Sequence, residues 1–245
     1  MVYTHTDIGH KRSENQDSTG VAVLDGAVFA VVCDGMGGSN AGSEASSRAV
    51  SVITERIQKS YRSDYDDNKI RNLLVAAVKT ANAVIYDLAS AVPEWRGMGT
   101  TCVAAIARGD MLHTVNVGDS RMYRCRGGCI RQLSTDQSLV QMLYEQGRIT
   151  ADEKKTHAQK NVIFPVLGNA SEEPQPCITE IIGGVQRGDI IIICSDGLSD
   201  YITQGEFEEI LALPMRLPRR IAKLAEAAIK NGSPDNVSVV GVSMV

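Results

Sequence analysis

Five aspartates lie beside apolar, strand-like runs of the chain: Asp17, Asp34, Asp119, Asp196 and Asp235. Asp34 and Asp196 come at the ends of nearly all-apolar runs, and Asp119 follows such a run after one glycine. A single Asp-Gly step usually marks a turn. Five such sites instead indicate carboxylates that gather at one rim of the protein core.

Carboxylates gathered at a rim repel one another, so they require cations to offset the cost. No histidine or cysteine is grouped with these aspartates in the sequence, which leaves a set of ligands made only of oxygen. Hard ions prefer oxygen ligands, whereas Zn²⁺ is usually held by nitrogen and sulfur. The aspartates therefore predict a site for Mg²⁺ or Mn²⁺.

Other chemical motifs match poorly. The stretch 35–40 resembles a dinucleotide-binding fingerprint, but Asn40 stands where the third glycine is required. The sequence contains no Gly-Lys-Ser/Thr, no His-Glu-x-x-His and no Gly-x-Ser-x-Gly. Cys125 and Cys129 flank a turn and could face each other across a hairpin, but we interpret them as ordinary core or surface thiols.

Composition excludes several classes of protein. The 245 residues carry 25 Lys and Arg against 29 Asp and Glu, so a basic nucleic-acid-binding face is not expected. No apolar run approaches the roughly 18 residues of a membrane helix, and the polar N-terminus lacks the apolar centre of a signal peptide. The six cysteines lie mostly in apolar runs, as free thiols do in a reduced protein. We therefore expect a cytoplasmic protein that binds neither nucleic acid nor membrane.

Apolar periodicity predicts blocks of strands and helices. Asp25-Gly26 between two apolar runs predicts a hairpin over 20–34 with a type I′ turn, which needs positive φ angles. Short apolar runs and tight turns over 99–133 predict an antiparallel meander. The other predicted elements are helices over 39–57, 68–91, 138–146 and 219–231 and strands over 177–182, 189–194 and 237–244.

These elements are packed most economically as two stacked antiparallel sheets with helices on both outer faces. The sequence thus predicts an α+β fold, a four-layer α/β/β/α sandwich, formed by one domain over residues 1–245. The stretch 137–175 has the weakest periodicity and is expected to be irregular.

Short motifs in a fixed order over nearly the whole chain resemble those of the metal-dependent protein phosphatases known as the PP2C family, in particular its compact bacterial members. They are Arg12-Ser-Glu-Asn-Gln-Asp17, Asp34-Gly-Met-Gly-Gly38, Gly99-Thr-Thr101, Val117-Gly-Asp-Ser-Arg121, Leu133-Ser-Thr-Asp136, Ser195-Asp-Gly-Leu-Ser-Asp200 and Asp235-Asn236. Each motif is short, but the ordered set is highly specific.

The resemblance implies a metal-binding role for the matching residues. Asp34 would bridge two ions, and Gly35 would bind one of them through its backbone carbonyl. Asp196 and Asp235 would complete the other site. Bacterial relatives frequently bind a third ion, for which Asp119 and Asp196 are the matching ligands.

Three further features carry over from the resemblance. Asp17 matches an outer-shell acceptor for water bound to the ions. Arg12 matches the guanidinium that grips the substrate phosphate, a planar fork suited to bidentate contact. Residues 147–172 match the flap that lies beside the active site in the family.

The implied activity is that of a Mn²⁺- or Mg²⁺-dependent protein serine/threonine phosphatase. Two ions would clamp the phosphoryl oxygens, and a hydroxide that bridges them would attack phosphorus in line. Phosphoserine and phosphothreonine proteins would be the substrates, a Ser/Thr kinase the opposing partner, and a monomer the expected state. The alternatives are a catalytically weak module that binds phosphoproteins and a hydrolase of small phosphoesters.

Two positions depart from the family pattern. Met36 stands where many eukaryotic members have a histidine proposed as general acid, and general acids contribute about 10²–10⁴-fold to a rate. Since a thioether cannot donate a proton, we expect phosphate esters with good leaving groups to be preferred over phosphoserine. The stretch 164–167 (Phe-Pro-Val-Leu) replaces the Arg-Ala-Leu-Gly of bacterial flaps, so their flap-mediated substrate choice is not carried over.

Overall fold

Strands and helices follow one another in blocks along the chain. The computed structural model describes residues 1–38, 40–168, 177–181 and 185–244. The strands are β1 (Val2–Asp7), β2 (Asp17–Leu24), β3 (Ala27–Met36), β4 (Gly99–Thr100), β5 (Cys102–Arg108), β6 (Met111–Val117), β7 (Arg121–Arg126), β8 (Cys129–Gln132), β9 (Cys177–Ile181), β10 (Ile190–Cys194) and β11 (Val237–Ser243). The helices are α1 (Ala41–Ser60), α2 (Asp67–Ala91), α3 (Leu139–Glu145), α4 (Ala151–Thr156), α5 (Asp196–Ser199), α6 (Gln204–Ala212) and α7 (Leu217–Lys230), and a 3₁₀ turn covers Pro93–Trp95.

The strands form two antiparallel sheets. The first has the order β1-β11-β10-β7-β8, and the second has the order β2-β3-β5-β6-β9, with β4 paired to the end of β3. Helices α1 and α2 pack on the second sheet, whereas α7 packs on β1 and β11 of the first. The predicted four-layer α/β/β/α sandwich is confirmed.

Three apolar clusters fill the three interfaces between these layers. On β3, Phe29, Val31 and Cys33 pack with the helices, whereas Ala30 and Val32 pack against the other sheet. The side chains of a strand alternate between its two faces. Since both faces of the inner strands are buried, β10 and residues 27–33 of β3 form continuous apolar runs instead of alternating.

The predicted hairpin forms, with a different turn. Leu24 pairs with Ala27 across the two-residue loop Asp25-Gly26. Gly26 has a φ of +70°, while Asp25 does not have a positive φ. The expected type I′ turn, which needs positive φ at both central residues, is therefore wrong, and the glycine alone supplies the left-handed conformation.

The prediction of one meander over 99–133 is wrong. Strands β5 and β6 form a hairpin in the second sheet, and β6 then pairs with β9. The chain crosses to the first sheet through residues 118–120, where β7 and β8 form a separate hairpin. This crossing places Asp119 at the junction of the two sheets.

Several elements were not predicted. Strand β1 has few apolar residues and lies at the edge of the first sheet, where it pairs with β11. Helices α4 and α6 each begin with a capping box, formed by Thr150 with Glu153 and by Thr203 with Glu206. That Thr-x-x-Glu pattern is readable in the sequence as a helix start.

The expected flap region is only partly irregular. It contains α4, and it joins the rest of the fold through the isolated bridges Ser138–Ile163 and Thr100–Leu167. Residues 169–172 of the expected flap lie outside the described residues.

By length and composition alone, helix α2 would be able to cross a membrane. Its side chains Ile70, Leu74, Val78 and Ile85 instead pack in the apolar cluster between the helices and the second sheet. This is the environment of a core helix in a globular domain.

Cys125 and Cys129 lie on opposite faces of the β7–β8 hairpin. Cys125 pairs with Ile130, whereas Cys129 pairs with Arg126. Cross-strand partners share a face, so neighbouring pairs point to opposite sides of the sheet. The two thiols therefore do not face each other, and both are free.

Candidate metal and phosphate site

The five aspartates come from both sheets and meet at one end of the sandwich. Asp17 begins β2, Asp34 lies near the end of β3, and Asp119 lies in the link between β6 and β7. Asp196 begins α5, and Asp235 lies two residues before β11. The charges of the other four aspartates all raise the pKa of Asp34, which shows that the sheets bring the group together.

Asp17 and Asp34 are directly opposite each other in the β2–β3 register. Asp17 is buried, and its Oδ2 accepts a hydrogen bond of 2.7 Å from Ser195 Oγ. Ser195 Oγ in turn accepts a 3.0 Å hydrogen bond from the backbone N–H of Ser238. Since Ser195 and Ser238 belong to the first sheet and Asp17 to the second, these bonds join the two sheets beneath the site.

The backbone at Asp34 is held by two threonines. Its N–H donates to Thr101 Oγ1 at 2.9 Å, and its carbonyl accepts from the N–H of Thr101 at 2.8 Å and from Thr100 Oγ1 at 2.9 Å. Thr101 Oγ1 also pairs with Ser120 Oγ at 2.7 Å. The Gly-Thr-Thr motif thus fixes the end of β3 to the chain that carries Asp119.

Two glycines allow close backbone approach around the carboxylates. A Cβ at Gly35 would lie 1.9 Å from the carbonyl oxygen of Gly42 in α1. A Cβ at Gly197 would lie 2.0 Å from the carbonyl oxygen of Asn236. Only glycine fits at these positions, because real Cβ atoms do not approach another atom that closely.

Asp196 has an unsatisfied carboxylate oxygen. Its Oδ1 is buried and has no hydrogen-bond partner. The Asp34 carboxyl group hydrogen-bonds the Asp196 carboxyl group and lowers its pKa, but burial and the charges of Asp200 and Asp235 outweigh this and raise that pKa to about 6. A buried acceptor without a donor is costly, so this oxygen is suited to a cation.

The fold also disfavours the charged form of three of the other carboxylates. Burial is the largest cause in each case: it raises the pKa of Asp17 to about 7 and that of Asp119 to about 8. Burial and the neighbouring carboxylates raise the pKa of Asp34 well above its usual range. These are the shifts expected of like charges that share a site, and bound cations would relieve them.

The residues present fit divalent cations with oxygen ligands. Among the described residues, no three carboxylate, imidazole or thiol groups converge tightly enough to hold an ion alone. Mg²⁺ is typically held by one or two carboxylates and keeps several waters. Asp34, the carbonyl of Gly35, Asp196 and Asp235 are the residues that would hold such ions, with Asp119 beside them.

Arg12 lies at the exposed side of the site. Its Nη2 donates to Asp235 Oδ2 at 2.6 Å, and this hydrogen bond raises the pKa of the guanidinium. The loop that carries Arg12 is clamped by Asn236, whose side chain accepts from the N–H of Gln16 and donates to the carbonyls of Ile8 and Glu14. This explains why an asparagine follows Asp235.

Sequence reasoning missed an ion-pair network behind Asp119. Arg121 forms a bidentate pair with the buried Asp136, with distances of 2.9 and 2.8 Å. The same guanidinium contacts Asp200 Oδ1 at 2.9 Å, and Lys154 of α4 lies 3.2 Å from Asp136. Three of these residues stand in the quoted motifs, but their pairing could not be read from the sequence.

A four-layer sandwich with carboxylates gathered at one end is the arrangement that the resemblance implies for a metal-dependent protein phosphatase. The sequence model of the family described as "Protein phosphatase 2C" matches residues 8–230. The chain belongs to this family, and the resemblance read from its motifs is confirmed.

Named relatives agree with this. The "Serine/threonine protein phosphatase PstP" of Mycobacterium tuberculosis is 34% identical over 240 residues, which cover 98% of this chain and 44% of PstP. The "Serine/threonine phosphatase stp" of Listeria innocua is 33% identical over 236 residues, covering 96% of this chain and 92% of that protein. The chain thus spans less than half the length of PstP but nearly all of stp.

Solved structures resemble the fold over its whole length. The S. agalactiae serine/threonine phosphatase superimposes with a TM-score of 0.92 and 30% identity, covering 100% of this chain and 99% of that chain. The catalytic domain of PstP in complex with two manganese ions gives a TM-score of 0.82 and 32% identity, covering 98% and 96% of the two chains.

Proposed function

We propose that this protein is a Mn²⁺- or Mg²⁺-dependent phosphatase that removes phosphate from phosphoserine and phosphothreonine in proteins and so opposes a Ser/Thr kinase in the cytoplasm. The observation that carries the proposal is the convergence of five aspartates from both sheets, with a buried oxygen of Asp196 left without a donor. The two manganese ions in the PstP structure support the choice of metal.

The chain's own residues would divide the work. When bound, two divalent cations neutralise phosphoryl charge and lower the pKa of a water nucleophile. Asp34, Gly35, Asp196 and Asp235 would position those cations. Arg12, whose side chain is half exposed and adjacent to Asp235, would orient the phosphate. Asp17, whose carboxylate is held in place by Ser195, would accept hydrogen bonds from water bound to the cations.

The test uses metal-stripped protein and a phosphothreonine peptide. Phosphate release should depend on added Mn²⁺ and should fall by about 10²–10³-fold in Asp196→Asn, as removal of a charge-stabilising group commonly does. Asp87→Asn, which removes an exposed carboxylate from α2, is the matched control and should keep full activity.

Two outcomes would redirect the proposal. Folded protein without turnover at any Mn²⁺ concentration would favour a module that binds phosphoproteins. Turnover of nucleotides and sugar phosphates with no turnover of phosphopeptides would favour a hydrolase of small phosphoesters.

A further inference from the structure

A cleft of about 820 Å³ opens beside the carboxylate cluster. Asp119 lies in its wall, so the cleft is continuous with the proposed catalytic site. Its volume lies in the range of ligand-binding clefts. One side is formed by residues of the flap region, including Lys154, Lys155 and Lys160, and the other by the segment 199–204 that follows α5.

The charges deep in the cleft are already paired. Arg121 is shared between Asp136 and Asp200, and Lys154 contacts Asp136 and the side-chain oxygen of Gln141. These groups fix the floor of the cleft and the position of α4. They leave little charge available for a ligand.

The two outer lysines are different. Lys155 pairs with Asp152 at 3.1 Å, but both side chains are largely exposed, and such pairs contribute little. Lys160 lies 5.8 Å from the centre of the Tyr201 ring, on the opposite wall, and makes no ion pair with a carboxylate in the part of the chain that the structure describes. The mouth of the cleft therefore carries two positive charges on a protein of net charge −4: Lys160, with no carboxylate partner among the described residues, and Lys155, held only in a weak, solvent-exposed ion pair.

The wall between these charges and the site can hold a peptide. Tyr144 and Tyr201 offer apolar surface, whereas Gln204 and Asn231, whose amide nitrogens are bonded within the fold, offer side-chain oxygens that can accept hydrogen bonds. A chain that places its phosphorylated residue at the carboxylate cluster would extend past these side chains toward Lys155 and Lys160.

We propose that this cleft binds the polypeptide segment adjoining the phosphorylated residue and that Lys155 and Lys160 select segments with an anionic group. That group is a glutamate or aspartate carboxylate or a second phosphate. The proposal rests on the proposed phosphatase function, and it names the class of phosphoprotein that the site prefers.

The experiment compares matched phosphothreonine peptides whose flanking residues are glutamate, glutamine or a second phosphothreonine. Binding of fluorescein-labelled peptides is measured by anisotropy with Asp196→Asn, so that no turnover occurs. The acidic peptide should bind about 5- to 25-fold more tightly than the glutamine peptide, and the preference should weaken with salt, as expected for exposed charge pairs. The second phosphate shows which anionic group is favoured.

Two sets of lysine-to-glutamine variants distinguish an effect of the cleft lysines from an effect of the protein's net charge. Adding Lys155→Gln and Lys160→Gln should remove the preference for the acidic peptide, whereas adding Lys59→Gln, on α1 and outside the cleft, should preserve it. In the otherwise unmodified protein, the lysine variants should leave turnover of 4-nitrophenyl phosphate unchanged, because that substrate has no flanking chain.

Equal binding of acidic and glutamine peptides, or an equal loss with Lys59→Gln, would overturn the proposal. Its failure differs from failure of the proposed function. A lost acidic preference with intact phosphatase activity refutes only the role of the cleft, and a retained preference without activity refutes only the catalysis.

Discussion

Without divalent cations, the protein is expected to lose thermal stability as the pH rises from 5 to 8. Asp17, Asp119 and Asp196 have raised pKa values of about 7, about 8 and about 6 in the fold. In the unfolded chain these groups ionise near pH 4. Between the two values the folded protein holds protons that the unfolded chain has released, so its stability falls with rising pH.

Asp17 alone gives a lower estimate of the effect. From pH 5 to its folded pKa of about 7, two pH units at about 1.4 kcal/mol each amount to about 3 kcal/mol. For a domain of this size, about 1 kcal/mol shifts the Tm by about 2–4 °C, so the Tm should fall by about 6–12 °C. The contributions of Asp119 and Asp196 are coupled to that of Asp17 and do not simply add.

The assay is thermal unfolding followed by circular dichroism in EDTA at pH 5, 6, 7 and 8, repeated with millimolar Mn²⁺. Mn²⁺ should raise the Tm most at pH 8, where the carboxylates must otherwise ionise without partners. Asp17→Asn should flatten the pH dependence, and the exposed Asp152→Asn should not. Asp136 and Asp189 have lowered pKa values. Their contribution to the stability of the fold is therefore lost only below about pH 4, outside the pH range of this assay. A Tm in EDTA that stays constant or rises from pH 5 to 8 would refute the raised pKa values of the buried carboxylates as the cause.

Three further predictions concern individual positions. In Gly35→Ala, the new Cβ would lie 1.9 Å from the carbonyl oxygen of Gly42. The variant should destabilise the fold by several kcal/mol and should bind Mn²⁺ more weakly in calorimetry. A Tm equal to that of the unmodified protein would contradict the close approach. Lys154→Met should lower the free energy of unfolding in urea by about 1–3 kcal/mol, because it leaves the buried Asp136 carboxylate with one cation fewer. Lys155→Met should change that free energy by less than about 0.5 kcal/mol. Equal effects of the two variants would show that the ion pair between Lys154 and Asp136 is unimportant. Met36→His should raise turnover of phosphoserine peptides more than that of 4-nitrophenyl phosphate, and a uniform change in both rates would argue against a missing proton donor.

The layers of the fold were predictable because a strand buried on both faces has a continuous apolar run in its sequence. Strand β10 and residues 27–33 of β3 are apolar throughout, and the helical spacing in α1 and α2 matches the residues that pack on the second sheet. Strand β1 has no such apolar run, because it lies at an edge and four of its six residues are polar.

The crossing at Gly118 and Asp119 could not be predicted for a physical reason. A glycine with positive φ between two short strands serves a hairpin and a change of sheet equally well. Which of them forms depends on long-range packing of β7 against β10. The same holds for Arg121 and Asp200, which are 79 positions apart and meet only in the fold.

The site was predictable as a set of residue types, not as a set of contacts. Aspartates at strand ends indicate a rim of carboxylates, and the structure brings all five together. The hydrogen bond from Ser195 to Asp17 depends on how two sheets stack, which no local pattern encodes. The roles of the five aspartates and of Arg12 stay predictions until the metal and the substrate are observed.

The position of β11 has a consequence for synthesis. This strand follows the other described strands along the chain, yet it lies between β1 and β10, and Asp235 lies two residues before it. Chains fold from the N-terminus as they emerge from the ribosome, so β1 and β10 must wait with unpaired edges until β11 arrives. A nascent chain that stalls before residue 235 therefore lacks one of the five clustered aspartates and presents two strand edges open to pairing with other chains. Phosphatase activity is thus expected to begin only after β11 has emerged and paired.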